Sequence, residues 1–450
     1  MITLPEAYEN RMKALLGEEY GAFAATYGEE AVKALHLNRK ALSEEAFLAC
    51  ADFPVAPLAH LAGGFSFVLD KPGNHSLHHA GAYYLQDPAA MATVAAASDF
   101  LGQKGLRALD VCASPGGKSA QIASYLGEGG FLVSNEIMPA RCKTLAGNME
   151  RMGFADVMIT NADVKRLAAW FPACFDFVLC DVPCSGEGMF RKYPESVSEW
   201  SESTPTRCAE KQREILKYAM RTLKTGGMLV YSTCTFSVEE NEENVAWLLG
   251  NYPGLRLVPV PELLARVSTP AKGFPEARRF YPHRCPGEGQ FVAVFRFDGQ
   301  AETGGAPAFA DAREQLSCEE MRAVTAFRDA AVGETGEALP LCRVGGRIVA
   351  APFPVPGQNV FAAGVTVGTV EKGRLVPHHQ LFRAYGRRFL RKIELAGTDP
   401  RLNAYLHGAE IPADVPNGWA VVTTAGIPLG GAKVVDGIAK NHYPKGLRLV

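Results

Sequence analysis

LRALDVCASPGGKSA (residues 106–120) runs from an apolar stretch into two adjacent glycines and then into a helical pattern. That order reads as a buried strand, a tight turn and a helix whose first N–H groups face whatever sits above the strand. Reading outward, the same alternation repeats. FLVSNE (131–136) is a strand, followed by a helix over 139–152; VMITNAD (157–163) and FDFVLCD (175–181) are further strands. A long amphipathic helix over about 206–224, the strand GMLVYST (227–233), a helix over 238–249 and the strand FVAVFRF (291–297) complete the series. Ser237 and Glu240 read as the capping box of the helix over 238–249. Repeated strand–helix units predict an α/β fold with a mostly parallel sheet covered on both faces. Ligands of such sheets bind at the carboxyl ends of the strands.

Two nucleotide chemistries compete for that edge. Gly117-Lys118-Ser119 matches the end of a phosphate-cradling P-loop, and FDFVLCD imitates its acidic partner strand. The first glycine of that motif is missing, because Cys112 occupies its place. Acids follow the strands instead: Glu136 after the second, Asp163 after the third and Asp181 after the fourth. An acid after the second strand accepts hydrogen bonds from ribose hydroxyls. Three acids repel a triphosphate and suit an adenosine that carries a sulfonium cation, so S-adenosylmethionine fits better than ATP. The plainer reading of any one of them is a helix N-cap.

The 450 residues exceed a single hydrophobic core, so several domains are expected. No stretch approaches a membrane helix, and MITLPEAYENRMKALLGEEY lacks the pattern of a signal peptide. Eleven cysteines without CxxC pairs suit a reduced, cytoplasmic protein. The net charge of −2 conceals a division: residues 341–450 hold 14 Lys+Arg against 6 Asp+Glu, and the remainder 32 against 42. Arg387, Arg388, Arg391 and Lys392 cluster near Tyr385 and Phe389. A basic module on an acidic body fits nucleic-acid binding, while a charge run alone is more often a solvated face.

Cys184 follows the fourth strand in DVPCSGEGMFRK, and Cys234 follows the next in YSTCTFS. One such cysteine is usually inert; two beside Asp181 at a ligand edge point to chemistry. Methylation of a pyrimidine ring carbon needs this set. A thiolate adds to carbon 6 of cytosine and makes carbon 5 nucleophilic. An acid near N3 assists by protonating the ring. The residues alone do not order the two cysteines.

LDVCASPGGKS, DVPCSGEGMFRKYPE and YSTCTFSVEENEENV together resemble the signature blocks of the Nop/Sun-type RNA (cytosine-5)-methyltransferases. YYLQDPAAM (83–91) and PHRCPGEGQFVAVF (282–295) are similar to further segments of that family. The likeness covers about residues 1–298, and the C-terminal part resembles the RsmF-like bacterial branch. It implies a Rossmann-like class I methyltransferase fold with a mostly parallel sheet, an N-terminal helical extension and a C-terminal β-rich PUA-like domain. The expected division is an N-terminal extension (1–80), a methyltransferase domain (81–298), a linker (299–315), a connecting domain (316–384) and a PUA-like domain (385–450).

The resemblance also implies roles. Cys234 matches the nucleophile, and Cys184 the cysteine of proton removal or product release. Asp181 matches the acid that contacts cytosine and the cofactor's methionine end. Cys112, Ala113, Ser114, Pro115, Gly116, Gly117 and Lys118 match the cofactor loop, Glu136 the ribose acid and Asp163 the adenine-side acid. Val182 and Ser114 stand where alanine is usual in the family, and neither side chain reacts. The implied cofactor is S-adenosylmethionine. The implied partner is RNA, small-subunit ribosomal RNA first and transfer RNA second, bound by a monomer away from membranes. A non-catalytic RNA-binding assembly factor and a P-loop NTPase are the rivals. His75, His78 and His79 match no zinc pattern and are expected in a loop or against RNA. Arg191 and Lys192 suit either phosphate contact or a solvated surface, and Trp200 suits packing.

Overall fold

The computed structural model describes residues 3–301, 310–332 and 339–449. At its centre are five parallel strands: β1 (Arg107–Asp110), β2 (Phe131–Asn135), β3 (Val157–Thr160), β4 (Phe175–Asp181) and β5 (Leu223–Thr233). They lie in the order β5-β4-β1-β2-β3, so the chain reverses direction across the sheet between β1 and β4. The antiparallel strand β6 (Gln290–Phe297) pairs along β5, and strands Thr269–Ala271, Phe274–Phe280 and Leu255–Val258 extend that side. On the far edge, Val360–Ala363 pairs antiparallel with β3.

The strand sequences are apolar almost throughout because both faces are buried. Ala108, Leu132, Phe177 and Leu179 belong to one core with Ala120 and Ile122 of helix α1 (Gly117–Tyr125). Leu109, Val133 and Val178 face the other core, formed with helices α4 (Thr204–Thr222) and α5 (Glu242–Asn251) through Leu216, Val245 and Leu248. Helices α2 (Pro139–Met152) and α3 (Val164–Trp170) follow β2 and β3.

The N-terminal segment departs from the helical expectation. Helices Glu6–Leu16 and Tyr20–Ala25 form, but Ala34–Leu37 is a strand in a four-stranded antiparallel sheet with Val55–Pro57, Gly64–Phe67 and Tyr83–Leu85. Leu35, in the segment expected to be helical, instead pairs with Phe65 and Leu85, and such distant partners override local preference. The Tyr83–Leu85 strand also lies beyond the expected boundary at residue 80 while belonging to the N-terminal sheet.

The C-terminal part is β-rich, as expected. Residues 341–350 and 365–377 form a four-stranded sheet beside helix Cys318–Ala331, and a five-stranded sheet is built around Gly418–Thr424 and Ile427–Val435. Part of the expected linker, 302–309, lies outside the described residues, as do residues 333–338 of the expected connecting domain. The N-terminal sheet and the last module share a single core, in which Leu35, Phe65 and Tyr83 join Leu395, Tyr405 and Leu429.

Candidate active site

The chain reversal between β1 and β4 opens a cleft of about 650 Å³ at the carboxyl ends of the strands. Val111, Ile137, Val164 and Ile215 supply apolar walls, and Glu136, Asp163 and Asp181 supply carboxylates. Of the seven residues of the expected cofactor loop, Cys112 and Ser114 line the cleft. Ala113, Pro115, Gly116, Gly117 and Lys118 do not line it. The loop turns through a cis Ser114–Pro115 bond and through Gly116 at φ 115°. Gly117 presses so close to the N-terminal sheet that a Cβ there would lie 3.2 Å from Tyr84 and 3.3 Å from Gln86. The YYLQ segment therefore braces the loop. Gly116 gives the same close approach on the other side, where a Cβ would lie 3.1 Å from Leu145 and from Met149 of α2.

The three acids are held differently. The Glu136 carboxylate is nearly inaccessible, accepts the Met138 N–H at 2.8 Å and lies 3.4 Å from Arg141. Asp163 is exposed and caps α3 through the Arg166 N–H, so the plain N-cap reading holds for it while it also lines the cleft. Asp181 is no cap. Its carboxylate pairs with Lys118 Nζ at 2.8 Å and accepts the Ser232 hydroxyl at 2.6 Å, with Gln290 Nε2 at 3.4 Å. Burial works to lower the pKa of Lys118, but Asp181, with Cys234 contributing in the same sense, outweighs it and keeps the ammonium charged.

Asp110, at the end of β1, was not singled out from sequence. Its buried carboxyl accepts the Ser119 hydroxyl at 2.7 Å, and burial pushes its pKa up to about 7. Asn135 was missed too. Its amide bonds to the carbonyls of Val111 and Ala162, tying together the crossovers after β1 and β3.

The two cysteines, neither of which lines the cleft, meet just past the paired strand ends Asp181 and Ser232. Cys184 Sγ and Cys234 Sγ are 3.3 Å apart, and both residues are partly exposed. The hydrogen bond to Cys234, and then burial, push the Cys184 thiol well above its ordinary pKa, which keeps its proton in place. Three backbone segments converge beneath the pair. The Gly188 N–H donates to Cys234 O at 2.9 Å and the Gly289 N–H donates to Gly188 O at 3.1 Å. A Cβ on Gly188 would come within 2.7 Å of Gly289 Cα, so the paired glycines of GEGMF and GEGQF permit this approach.

Several sequence expectations are revised here. Ser237 Oγ does accept the Glu240 N–H at 3.3 Å, but the Glu240 carboxylate turns away and helix α5 begins only at Glu242. There is no capping box, because the carboxylate is already engaged by Ser185 and Gln212. Arg191 is neither solvated nor open to phosphate; it pairs with Glu288 and donates to the carbonyls of Thr26 and Gly287. Trp200 is packing, as expected, with its indole N–H donating to Glu187.

Of the three histidines, His79 reaches another module, and His75 and His78 contact the N-terminal segment itself. His75 caps helix Ser76–His79 and bonds Asp52, His78 lies against Tyr83, and His79 bonds the Tyr443 hydroxyl. Arg387 donates to the carbonyls of Lys40 and Ala41, and Arg391 to that of Ala330, so half of the basic run ties modules together.

Similarity to known proteins converges on this arrangement. The family profile described as 16S rRNA methyltransferase RsmB/F matches residues 101–296. The N-terminal domain of 16S rRNA methyltransferase RsmF matches 4–88, and the Methyltransferase RsmF PUA domain matches 392–449. The chain is similar to Ribosomal RNA small subunit methyltransferase F of Cronobacter sakazakii, 32% identical over 99% of this chain and 96% of that protein. The protein of the same name from Klebsiella pneumoniae is 31% identical over 99% of this chain and 97% of its own length. Among solved structures, that of NSun6 from Pyrococcus horikoshii with SFG covers 66% of this chain and 99% of that one, with a TM-score of 0.58 and 21% identity, a likeness of fold.

Proposed function

The chain belongs to the 16S rRNA methyltransferase RsmB/F family and is an S-adenosylmethionine-dependent methyltransferase, and from that premise we propose that it forms 5-methylcytosine in small-subunit ribosomal RNA through a transient Cys234–cytosine bond. The observation that carries this reading is the pair of partly exposed thiols, 3.3 Å apart, that follow within a few residues of Asp181 and Ser232, Asp181 itself lining the cleft. The substrate follows from the relatives, which are named for the small-subunit ribosomal RNA they methylate.

The residues of the cleft fit the cofactor. Glu136 and Asp163, both lining the cleft, are assigned to the ribose hydroxyls and the adenine side, the apolar walls suit a purine, and Asp181 is assigned to the methionine end. When bound, S-adenosylmethionine supplies an electrophilic methyl group. The chain's own groups do the rest. Cys234 acts as thiolate with the Lys118 ammonium nearby and adds to carbon 6 of the base. Asp181, backed by Lys118, is assigned to the N3 side of the base: its carboxyl, protonated in the reacting complex, gives N3 a proton as the thiolate adds and takes that proton back when the ring is restored. After methylation Cys184 assists loss of the carbon-5 proton, which passes to solvent, and the Cys234 thiolate leaves as the ring regains aromaticity. The target base must be unstacked to reach the pair.

The N-terminal and C-terminal modules, joined in a single core, are assigned to gripping folded RNA, with the division at 1–80, 81–298, 299–315, 316–384 and 385–450 as the working scheme. All eleven cysteines are free, and no helix among the described residues is long and apolar enough to cross a membrane. The free cysteines are in keeping with a reducing compartment, and we take the enzyme to be cytoplasmic and to act as a monomer. The test is methylation of small-subunit RNA by wild type and Cys234→Ala, read by bisulfite sequencing. Wild type is expected to protect a cytosine that Cys234→Ala does not. Equal methylation by the variant overturns the nucleophile.

A further inference from the structure

Glu240 is fully buried, carries a charge-bearing group and has no part in the chemistry just described. It stands in the turn after Cys234, and its carboxylate reaches across to the other reactive loop. Oε2 accepts the Ser185 backbone N–H at 2.9 Å, and Oε1 accepts the Ser185 hydroxyl at 2.5 Å. Gln212, on α4, completes the arrangement: its Nε2 donates to Glu240 Oε2 at 2.8 Å and to Pro183 O at 3.0 Å. Cys184 is therefore held from both sides, through residue 183 by Gln212 and through residue 185 by Glu240.

The far side of the contact is anchored as firmly. The Ser185 hydroxyl lies 2.7 Å from that of Thr235, the neighbour of Cys234. The Tyr231 hydroxyl lies 2.5 Å from Glu240 O and 3.0 Å from Gln212 Oε1. Asn244 Nδ2 donates to Gln212 Oε1 and to Tyr231 Oη, which fixes which way the Gln212 amide points. Tyr231, Gln212, Glu240 and Asn244 are all buried. A buried carboxylate is costly unless such donors surround it, and a network this complete holds one geometry.

We propose that Glu240, seconded by Gln212, is a positioning residue that fixes Cys184 against Cys234 and so sets the step in which the covalent adduct is resolved. The inference rests on the roles given to the two cysteines above. Without the clamp, Cys234 still reaches the base from its own strand end, while Cys184 drifts from the carbon-5 proton. Adduct then forms and is released slowly.

The test uses the full-length chain and compares Glu240→Ala, Glu240→Gln and Cys184→Ser with wild type. Four quantities are read: S-adenosylmethionine affinity by calorimetry, turnover, protein–RNA adduct on a denaturing gel, and the rate at which diamide closes a Cys184–Cys234 disulfide, mapped by mass spectrometry. In that last reaction the two thiols form an S–S bond and diamide takes up both hydrogens, so the rate reports sulfur proximity without catalysis.

Glu240→Ala is expected to bind cofactor as wild type does, to lose turnover by about 100-fold, to accumulate adduct as Cys184→Ser does, and to close the disulfide about tenfold more slowly. Glu240→Gln is expected to restore most of the turnover, because its amide oxygen can accept the Ser185 N–H while its NH2 donates to the Ser185 hydroxyl. If Glu240→Ala does not fold, Ser185→Ala on the partly exposed loop removes the hydroxyl arm alone, and the same direction of change is expected. An unchanged disulfide rate, with Cys184→Ser trapping adduct and Glu240→Ala not, overturns the proposal. If Cys184→Ser itself traps nothing, the release role of Cys184 fails, and the disulfide rate alone decides the positioning claim.

Discussion

Cys184 and Cys234, 50 residues apart in the chain, present their sulfurs to each other at 3.3 Å. Adjacent parallel strands produce this: Asp181 pairs with Ser232 at the carboxyl ends of β4 and β5, and each cysteine follows its strand. The register of two buried strands thus becomes the spacing of two reactive groups.

Replacing Cys184 by Ser should separate the two halves of the reaction. Addition by Cys234 persists and release is impaired, so a covalent protein–RNA band is expected on a denaturing gel. Free protein with full turnover would show that Cys184 has no part in release.

Lys118→Met leaves the Asp181 carboxylate without its buried cation. Removing one partner of such a pair costs about 3–5 kcal/mol when fully buried, and less here because about a quarter of the Asp181 side chain is exposed. Urea unfolding should show a loss of roughly 1–3 kcal/mol, and turnover should fall by more than tenfold. Unchanged turnover in a folded variant would remove Lys118 from the site.

Glu136→Ala should weaken S-adenosylmethionine binding by roughly 10- to 100-fold, the worth of one to two good hydrogen bonds to a charged acceptor. Calorimetry measures it directly. The Cys234 thiol should keep its reactivity towards an alkylating reagent, since Glu136 serves the cofactor and not the cysteines.

Asp110 gives the stability a pH dependence of defined sign. Burial raises its pKa to about 7 in the folded chain, so the native state holds a proton that the unfolded chain gives up near its ordinary carboxyl value. Its contribution is therefore present at low pH and lost as pH rises from about 4 through about 7. Asp110→Asn lacks that loss. The stability difference, variant minus wild type, should grow in the variant's favour over this range by a few kcal/mol at most. A difference that stays flat with pH would place the native pKa near its ordinary value.

The methyltransferase sheet was legible because its strands are nearly continuous apolar runs, which leaves few alternatives. FDFVLCD forms β4 over the same residues, 175–181, and α2 spans 139–152 as read, with a proline at its start. The site acids and both cysteines were legible because each follows a strand. Features that depend on distant partners were not. Nothing local marks Leu35 as the partner of Phe65, or Arg191 as the partner of Glu288. Glu240 is the instructive case: its spacing from Ser237 satisfies a helix cap, yet the side chain is claimed by Ser185 from a loop 55 residues earlier.

A bond between Cys234 and a cytosine can be trapped. RNA in which the target cytosine carries fluorine at carbon 5 cannot lose a proton there, so the adduct cannot resolve. Incubated with S-adenosylmethionine and the full-length protein, then digested and mapped by mass spectrometry, it is predicted to leave the nucleotide on the peptide containing Cys234. Recovery of the nucleotide on Cys184, or turnover of unmodified RNA with no adduct on either cysteine, would contradict the account.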